Sequence, residues 1–313
     1  MIHTVWLPLV LPFLAGPAGR RLAVSLPPRQ ALRLLTLTAA GLAIGSACAL
    51  ALLIVPGATH LHAVAASGHL LAPLASGSPD AVIAVAVTAA TLLSWCATLL
   101  VRAADRRRRR LRQARGLAAR SDGELVVLAD DHPDAYALPG RPGRIVVTTG
   151  MLRALSAPER EVLLAHERAH LKDRHHLFTA VVDLAGLCHP GLRALREPLA
   201  YAVERSADES AATSVGDRRL TARAIGRAAL AARTSSTAGR PRPGAALAAT
   251  AGPVPKRVAA LLGDHHLEKA ARPLVRRAAA ATLLTCLALS AGASLQAADD
   301  LHAGIEIAQG ESP

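Results

Sequence analysis

The sequence predicts an α+β domain, mostly helical with a small sheet, embedded among about four transmembrane α-helices. Three observations carry that reading. Long apolar runs without a charged residue recur along the chain. Between the last two of them lie short Val/Ile-rich segments followed by amphipathic helical patterns. The composition, 51% apolar with only two each of Trp, Tyr and Phe and a mean hydropathy of +0.30, suits membrane segments plus a modest soluble domain.

The runs 34–55, 81–101 and 278–298 contain no Asp, Glu, Lys or Arg. Each is long enough to cross a hydrocarbon core of about 30 Å at about 1.5 Å per residue. Buried helices of a large soluble protein are the alternative, and several charge-free runs of this length argue against it. Residues 2–19 form a further apolar run, broken by Pro8, Pro12 and Pro17 and closed by Arg20-Arg21. No basic stretch precedes it, so it reads as a first membrane helix, with a signal peptide as the alternative.

The basic residues set a topology. Arg20, Arg21, Arg29 and Arg33 lie between the first two runs, and the loop 57–79 has no Lys or Arg. Arg102, Arg106 to Arg110, Arg112 and Arg115 follow the third run; Lys269, Arg272, Arg276 and Arg277 precede the fourth. The tail 299–313 carries Asp299, Asp300, Glu306 and Glu311 and no basic residue. The positive-inside rule therefore places the domain between the third and fourth runs in the cytoplasm. The expected division is a membrane region 1–101, a cytoplasmic domain 102–277, a fourth span 278–298 and a short extracytoplasmic tail 299–313. The localisation implied is a multi-pass plasma-membrane protein.

A formal charge of +13 invites a nucleic-acid reading. The arginines sit beside apolar runs instead, with no aromatic or helix-turn-helix pattern, so membrane lipids are the expected partner and nucleic acid is not. Cys48, Cys96 and Cys286 fall inside apolar runs and Cys188 stands alone, so neither a disulfide framework nor a thiolate metal site is indicated. His60, His62 and His69 have no acidic neighbours and read as a polar loop.

Within the soluble part, Glu124–Ala129 and Arg144–Thr148 read as strands, and Tyr136–Leu138 as a short one before the Pro139-Gly140 turn. Helices are expected at about 157–175, 179–188, 198–214 and 218–233, with Gly216 ending the third. Residues 234–254 read as a mobile loop, after which Lys256-Arg257 restarts a helix.

One stretch organises the rest: His166-Glu167-Arg168-Ala169-His170. Ser156-Ala157-Pro158-Glu159 is a capping-box pattern that starts a helix near Ala157, and Val162 to Ala165 give that helix an apolar face. Histidines four apart share a helical face, so both imidazoles can converge on one Zn²⁺ with Glu167 placed to act on a water there. A third ligand has two candidates. His176 would suit a metzincin, but that geometry needs glycine where Asp173 stands and a downstream Met-turn, whereas Met1 and Met151 lie upstream. Glu204 is the other, sharing a helical face with Asp208, which is positioned to orient a ligating histidine through its second ring nitrogen.

His166-Glu167-x-x-His170 followed by Glu204-x-x-Ala207-Asp208 resembles the integral-membrane gluzincin peptidases, the HtpX-type proteases and the BlaR/MecR-type antirepressor peptidases. Ile145 to Leu152 resembles the strand and turn that those families place before the zinc helix, and the likeness covers roughly residues 120–265. It implies a zincin-like fold and one Zn²⁺ per chain, held by His166, His170 and Glu204. It further implies Glu167 as general base, Asp208 behind the ligands, and a protein substrate. The function implied is membrane-bound endopeptidase, either cleaving a regulatory repressor or, HtpX-like, degrading membrane proteins. A non-catalytic membrane interaction protein that retains zinc is the reading from another class. Only about 15 residues follow the last span, where the antirepressor peptidases carry an outer penicillin-sensing domain, so direct β-lactam sensing is not expected. The chain departs from many relatives at His175, where they carry an aspartate. His175, His176 and His189 are each open as oxyanion partners, and oligomeric state is not indicated.

Overall fold

The computed structural model describes residues 4–69, 74, 78–118, 123–235, 254–263 and 273–309. Among them, three helices are long and apolar enough to cross a membrane: Pro28–Ala58 (α2), Pro79–Arg112 within Pro79–Ala118 (α3), and Arg276–Ala308 within Pro273–Ala308 (α10). Both α3 and α10 overrun the spans expected at 81–101 and 278–298, because no proline or glycine pair stops the helix at the charged flank. The described part of the expected tail is thus a continuation of α10.

The run expected as a first membrane helix at 2–19 is not one helix. Thr4–Trp6 and Leu11–Leu14 are 3₁₀ turns around a single α-turn at Leu7–Val10, and the α-helix Ala15–Ser25 (α1) follows. Pro8 and Pro12 each sit at the start of a new piece, where their missing N–H costs nothing. The broken run lies against the 3₁₀ segment Pro190–Leu195. A side chain at Gly191 would stand 2.9 Å from the backbone nitrogen of Phe13, so glycine permits the contact.

Small residues also set the crossing of the long helices. A Cβ at Gly41 or Gly45 of α2 would come within 2.3 Å of Leu287 or Ser290 of α10. The largest buried cluster joins Leu22 of α1, Leu35 and Leu42 of α2 and Leu283 of α10 to Val182, Leu192, Leu195 and Leu199 of the domain between α3 and α10. The sequence boundary at 101/102 is therefore not a packing boundary.

The sheet has three strands, Leu125–Leu128 (β1), Ala135–Leu138 (β2) and Arg144–Thr148 (β3), in the order β1-β3-β2, near where strands are expected. β3 pairs parallel with β1 and antiparallel with β2. Alternation along β3 decides the layers. Ile145 and Val147 pack on Met151 and Leu155, and against Leu163, Leu164 and Leu171 of the helix beneath; Val146 faces Leu138 and Tyr136.

That helix is Ala157–Lys172 (α5), following the short Thr149–Ala154 (α4). Its capping box is formed: a Glu159 oxygen accepts from the Ser156 backbone N–H at 2.9 Å and from its hydroxyl at 2.8 Å. The expected helix 157–175 ends early. Arg174 takes a left-handed conformation (φ 50°), and the chain restarts as His175–Cys188 (α6). Arg196–Val215 (α7) ends at Gly216 in the left-handed conformation (φ 77°), and Arg218–Ser235 (α8) follows. Val254–Leu262 (α9) is the helix expected to restart at Lys256-Arg257. Most of the expected loop 234–254 lies outside the described residues.

Candidate metal centre

The spacing along α5 and α7 brings the site together. His166 and His170 are one turn apart, and their Nε2 atoms face each other at 3.1 Å in the interior. Glu204, from α7 packed alongside, places one carboxylate oxygen 3.6 Å from His166 Nε2 and the other 3.8 Å from His170 Nε2. One ligand atom from each of these three side chains lies within 4.8 Å of the others. Among the described residues they form a trio able to hold a metal ion, and His176 is not part of it.

The donor set fits a cation. Two imidazole nitrogens aimed at one point cannot both present hydrogens or both present lone pairs without something between them. Two nitrogens each about 2.0–2.1 Å from a zinc ion, at a tetrahedral angle, stand about 3.3 Å apart, close to the separation here. Asp208 and Glu204 bring two carboxylates against a single guanidinium, that of Arg257, so the surroundings favour added positive charge. The pKa pattern expresses the same field. Burial disfavours the charged form of His166, yet Asp208 and Glu204 outweigh it and raise the imidazole to about 10. Burial pushes His170 down to about 3. Glu204 lies well below the usual carboxylate range, its burial overcome by His166 and Arg257.

Glu167, next to His166 on α5, is buried as well. Burial lifts its carboxyl to about 7; His166 and the Ala137 backbone N–H of β2 pull the other way. Asp208 stands 3.1 Å from His166 Nδ1, on the side away from the trio. Behind it lies a residue that sequence reading does not mark: Arg257 of α9. Its Nε and Nη2 donate to the two Asp208 oxygens at 2.7 and 2.6 Å, and its Nη1 is 3.0 Å from Glu204. His175 is buried, its Nδ1 lying 3.0 Å from His170 Nδ1, and burial lowers its pKa to about 4. His189 is turned away: its Nε2 meets the Leu9 carbonyl at 2.9 Å and its Nδ1 accepts from Gly191 N–H. His176 offers its backbone carbonyl to Arg107 of α3 at 2.7 Å.

Comparison with known proteins starts from this stretch. Residues 101–193 match the model of peptidase family M48. The match contains both histidines and Glu167 and stops before Glu204 and Asp208. Over 80 residues the chain is 40% identical to a protease HtpX homolog of Gemmatimonas aurantiaca, which covers 25% of this chain and 28% of that protein. The chain thus aligns with little more than a quarter of that relative's length. No solved structure matches. The chain resembles a membrane-type zinc metallopeptidase of that family, and its long apolar helices fit a membrane protein.

Proposed function

We propose that this chain is a membrane-bound zinc endopeptidase that hydrolyses peptide bonds of a cytoplasmic or membrane protein. The observation that supports it best is the buried trio His166, His170 and Glu204 with Glu167 on the same helix. These three would hold one Zn²⁺, and Asp208 would fix His166 through its far nitrogen. When bound, the ion supplies a Lewis acid that polarises the scissile carbonyl and acidifies a water. Glu167 takes the proton from the attacking water and delivers it to the leaving amine. The Ala137 N–H would hold the Glu167 carboxylate by a hydrogen bond from β2. β2, the edge strand packed beside α5, offers backbone groups along which a substrate strand can lie.

The role favoured is the HtpX-like one, taken as proteolysis of membrane proteins, because one matched relative is a protease HtpX homolog. Cleavage of a regulatory repressor is the narrower alternative. In this reading the protein is a multi-pass plasma-membrane protein with its active site toward the cytoplasm.

The decisive variant is Glu167→Gln. It keeps the side chain's shape and cannot accept a proton at neutral pH. General-base catalysis is worth roughly 10²–10⁴-fold. The expected result is unchanged zinc content and at least about a hundredfold loss of cleavage, read on a membrane-protein substrate or on self-cleavage within 234–254. Equal cleavage by wild type and variant, both stopped by a chelator, would mean that another base acts. Full cellular rescue by a variant that cleaves nothing would favour the non-catalytic reading.

A further inference from the structure

His170 has a partner on its far side that the proposed chemistry does not use. Its Nδ1 lies 3.0 Å from Nδ1 of His175, and the two rings meet edge to face at 83°. His175 is the first residue of α6 and only 1% exposed. The left-handed Arg174 turns the chain between α5 and α6, which returns residue 175 to the back of residue 170. Chain direction alone would have carried a continuous helix past this point.

The geometry points to His175 as the positioning residue for His170, fixing both the rotation and the tautomer of that imidazole. The argument rests on the metal reading above and follows from the hydrogens. A ring whose Nε2 lone pair faces the metal carries its proton on Nδ1. His170 Nδ1–H therefore donates, and His175 Nδ1 must accept with its own lone pair. That leaves the His175 proton on Nε2, which faces Asp173 with a carboxylate oxygen 4.0 Å away. Asp173 is held in turn by Arg29 at 3.2 Å, in the first turn of α2. The partner on each histidine differs in kind: a carboxylate stands behind His166 and a neutral imidazole behind His170. A neutral acceptor draws less on the Nδ1 proton than a carboxylate does, so it leaves the ligating nitrogen a weaker donor.

The test is zinc affinity of the full-length protein in detergent, measured by chelator competition, for His175→Ala, His175→Gln, His175→Asp and a His166→Ala control. Removing the partner of a metal-ligating histidine typically weakens binding about 10–100-fold. His175→Ala is expected to lose affinity in that range. His175→Asp is expected to bind at least as tightly as wild type, because its carboxylate accepts the same proton. His175→Gln places its acceptor oxygen where Nε2 stood rather than Nδ1, so it is expected to lose affinity as His175→Ala does. A residue that only filled space would give the reverse order, since Asp would bury an unpaired charge where Ala leaves a small void. That reverse order, or wild-type affinity in His175→Ala, overturns the assignment. If His166→Ala also binds zinc like wild type, the metal reading itself is wrong and the inference falls with it; if only the His175 variants are neutral, the inference alone falls.

Discussion

Arg257 holds two buried carboxylates while being only 5% exposed itself. Breaking a buried ion pair from one side leaves the other charge unpaired, which costs about 3–5 kcal/mol. Arg257→Met should therefore lower unfolding stability by about that amount in the metal-free protein, and by less with zinc bound, because the ion would then neutralise Glu204. Denaturant titration in detergent with and without zinc measures this. The same small loss under both conditions would show that the guanidinium is not holding the carboxylates. Arg257→Lys should not restore the wild type, since an ammonium cannot grip both Asp208 oxygens in the planar fork. This residue also marks where sequence reading stops at the residue scale. His166 with His170, and Glu204 with Asp208, are legible because each pair is four apart on one helix. Arg257 reaches its partner across a sequence separation of 49 residues, with no local pattern to mark it. His175 is visible as a residue, but its direction depends on the left-handed Arg174, a turn that no glycine announces.

Helix α5, which carries His166 and His170, shows how an element is secured. Its first turn was legible because Ser156 and Glu159 form a local, reciprocal cap. Its end was not, since Leu171-Lys172-Asp173 would continue a helix as readily as stop one. Glu159 is also held by Arg227 of α8 at 2.9 Å, so the cap is tied to a second helix. Burial works against the Glu159 carboxylate, but the Ser156 N–H and hydroxyl and Arg227 outweigh it and depress its pKa. A carboxyl depressed on folding stabilises the fold above its unfolded pKa of about 4.3 and loses that contribution as pH falls through the lower folded value. Glu159→Gln is therefore expected to destabilise the protein at pH 7, and the gap to wild type should close as pH falls below the ordinary carboxylate range. Ser156→Ala should cost about 1 kcal/mol at pH 7 by the loss of the cap. Melting curves for the three proteins from pH 7 to pH 3 are the check. A Glu159→Gln deficit that stays constant across that range would remove the carboxylate from the account.

At the scale of the whole molecule, membrane helices and domain are one packed body, and this bears on which side of the membrane the site occupies. Leu35 of α2 and Leu283 of α10 share a core with Leu195 and Leu199 of the domain, so the domain cannot swing independently of the spans. Beyond that apolar core, two of its polar contacts with the long helices lie at arginine-bearing ends. Arg29 of α2 meets Asp173, and Arg107 of α3 meets the His176 carbonyl. Under the positive-inside rule the basic ends of spans are expected in the cytoplasm, and this packing would place the candidate metal centre on the same side. One residue at each end therefore reports the orientation of all of it. His62 is exposed near the other end of α2, and Leu230 is 64% exposed on α8 of the domain. In a variant lacking the native cysteines, His62→Cys should react with an impermeant maleimide added to whole cells. Leu230→Cys should react only after the membrane is opened. The reverse labelling would put the metal centre outside the cell, and the class of substrates proposed for it would have to be replaced by extracytoplasmic ones.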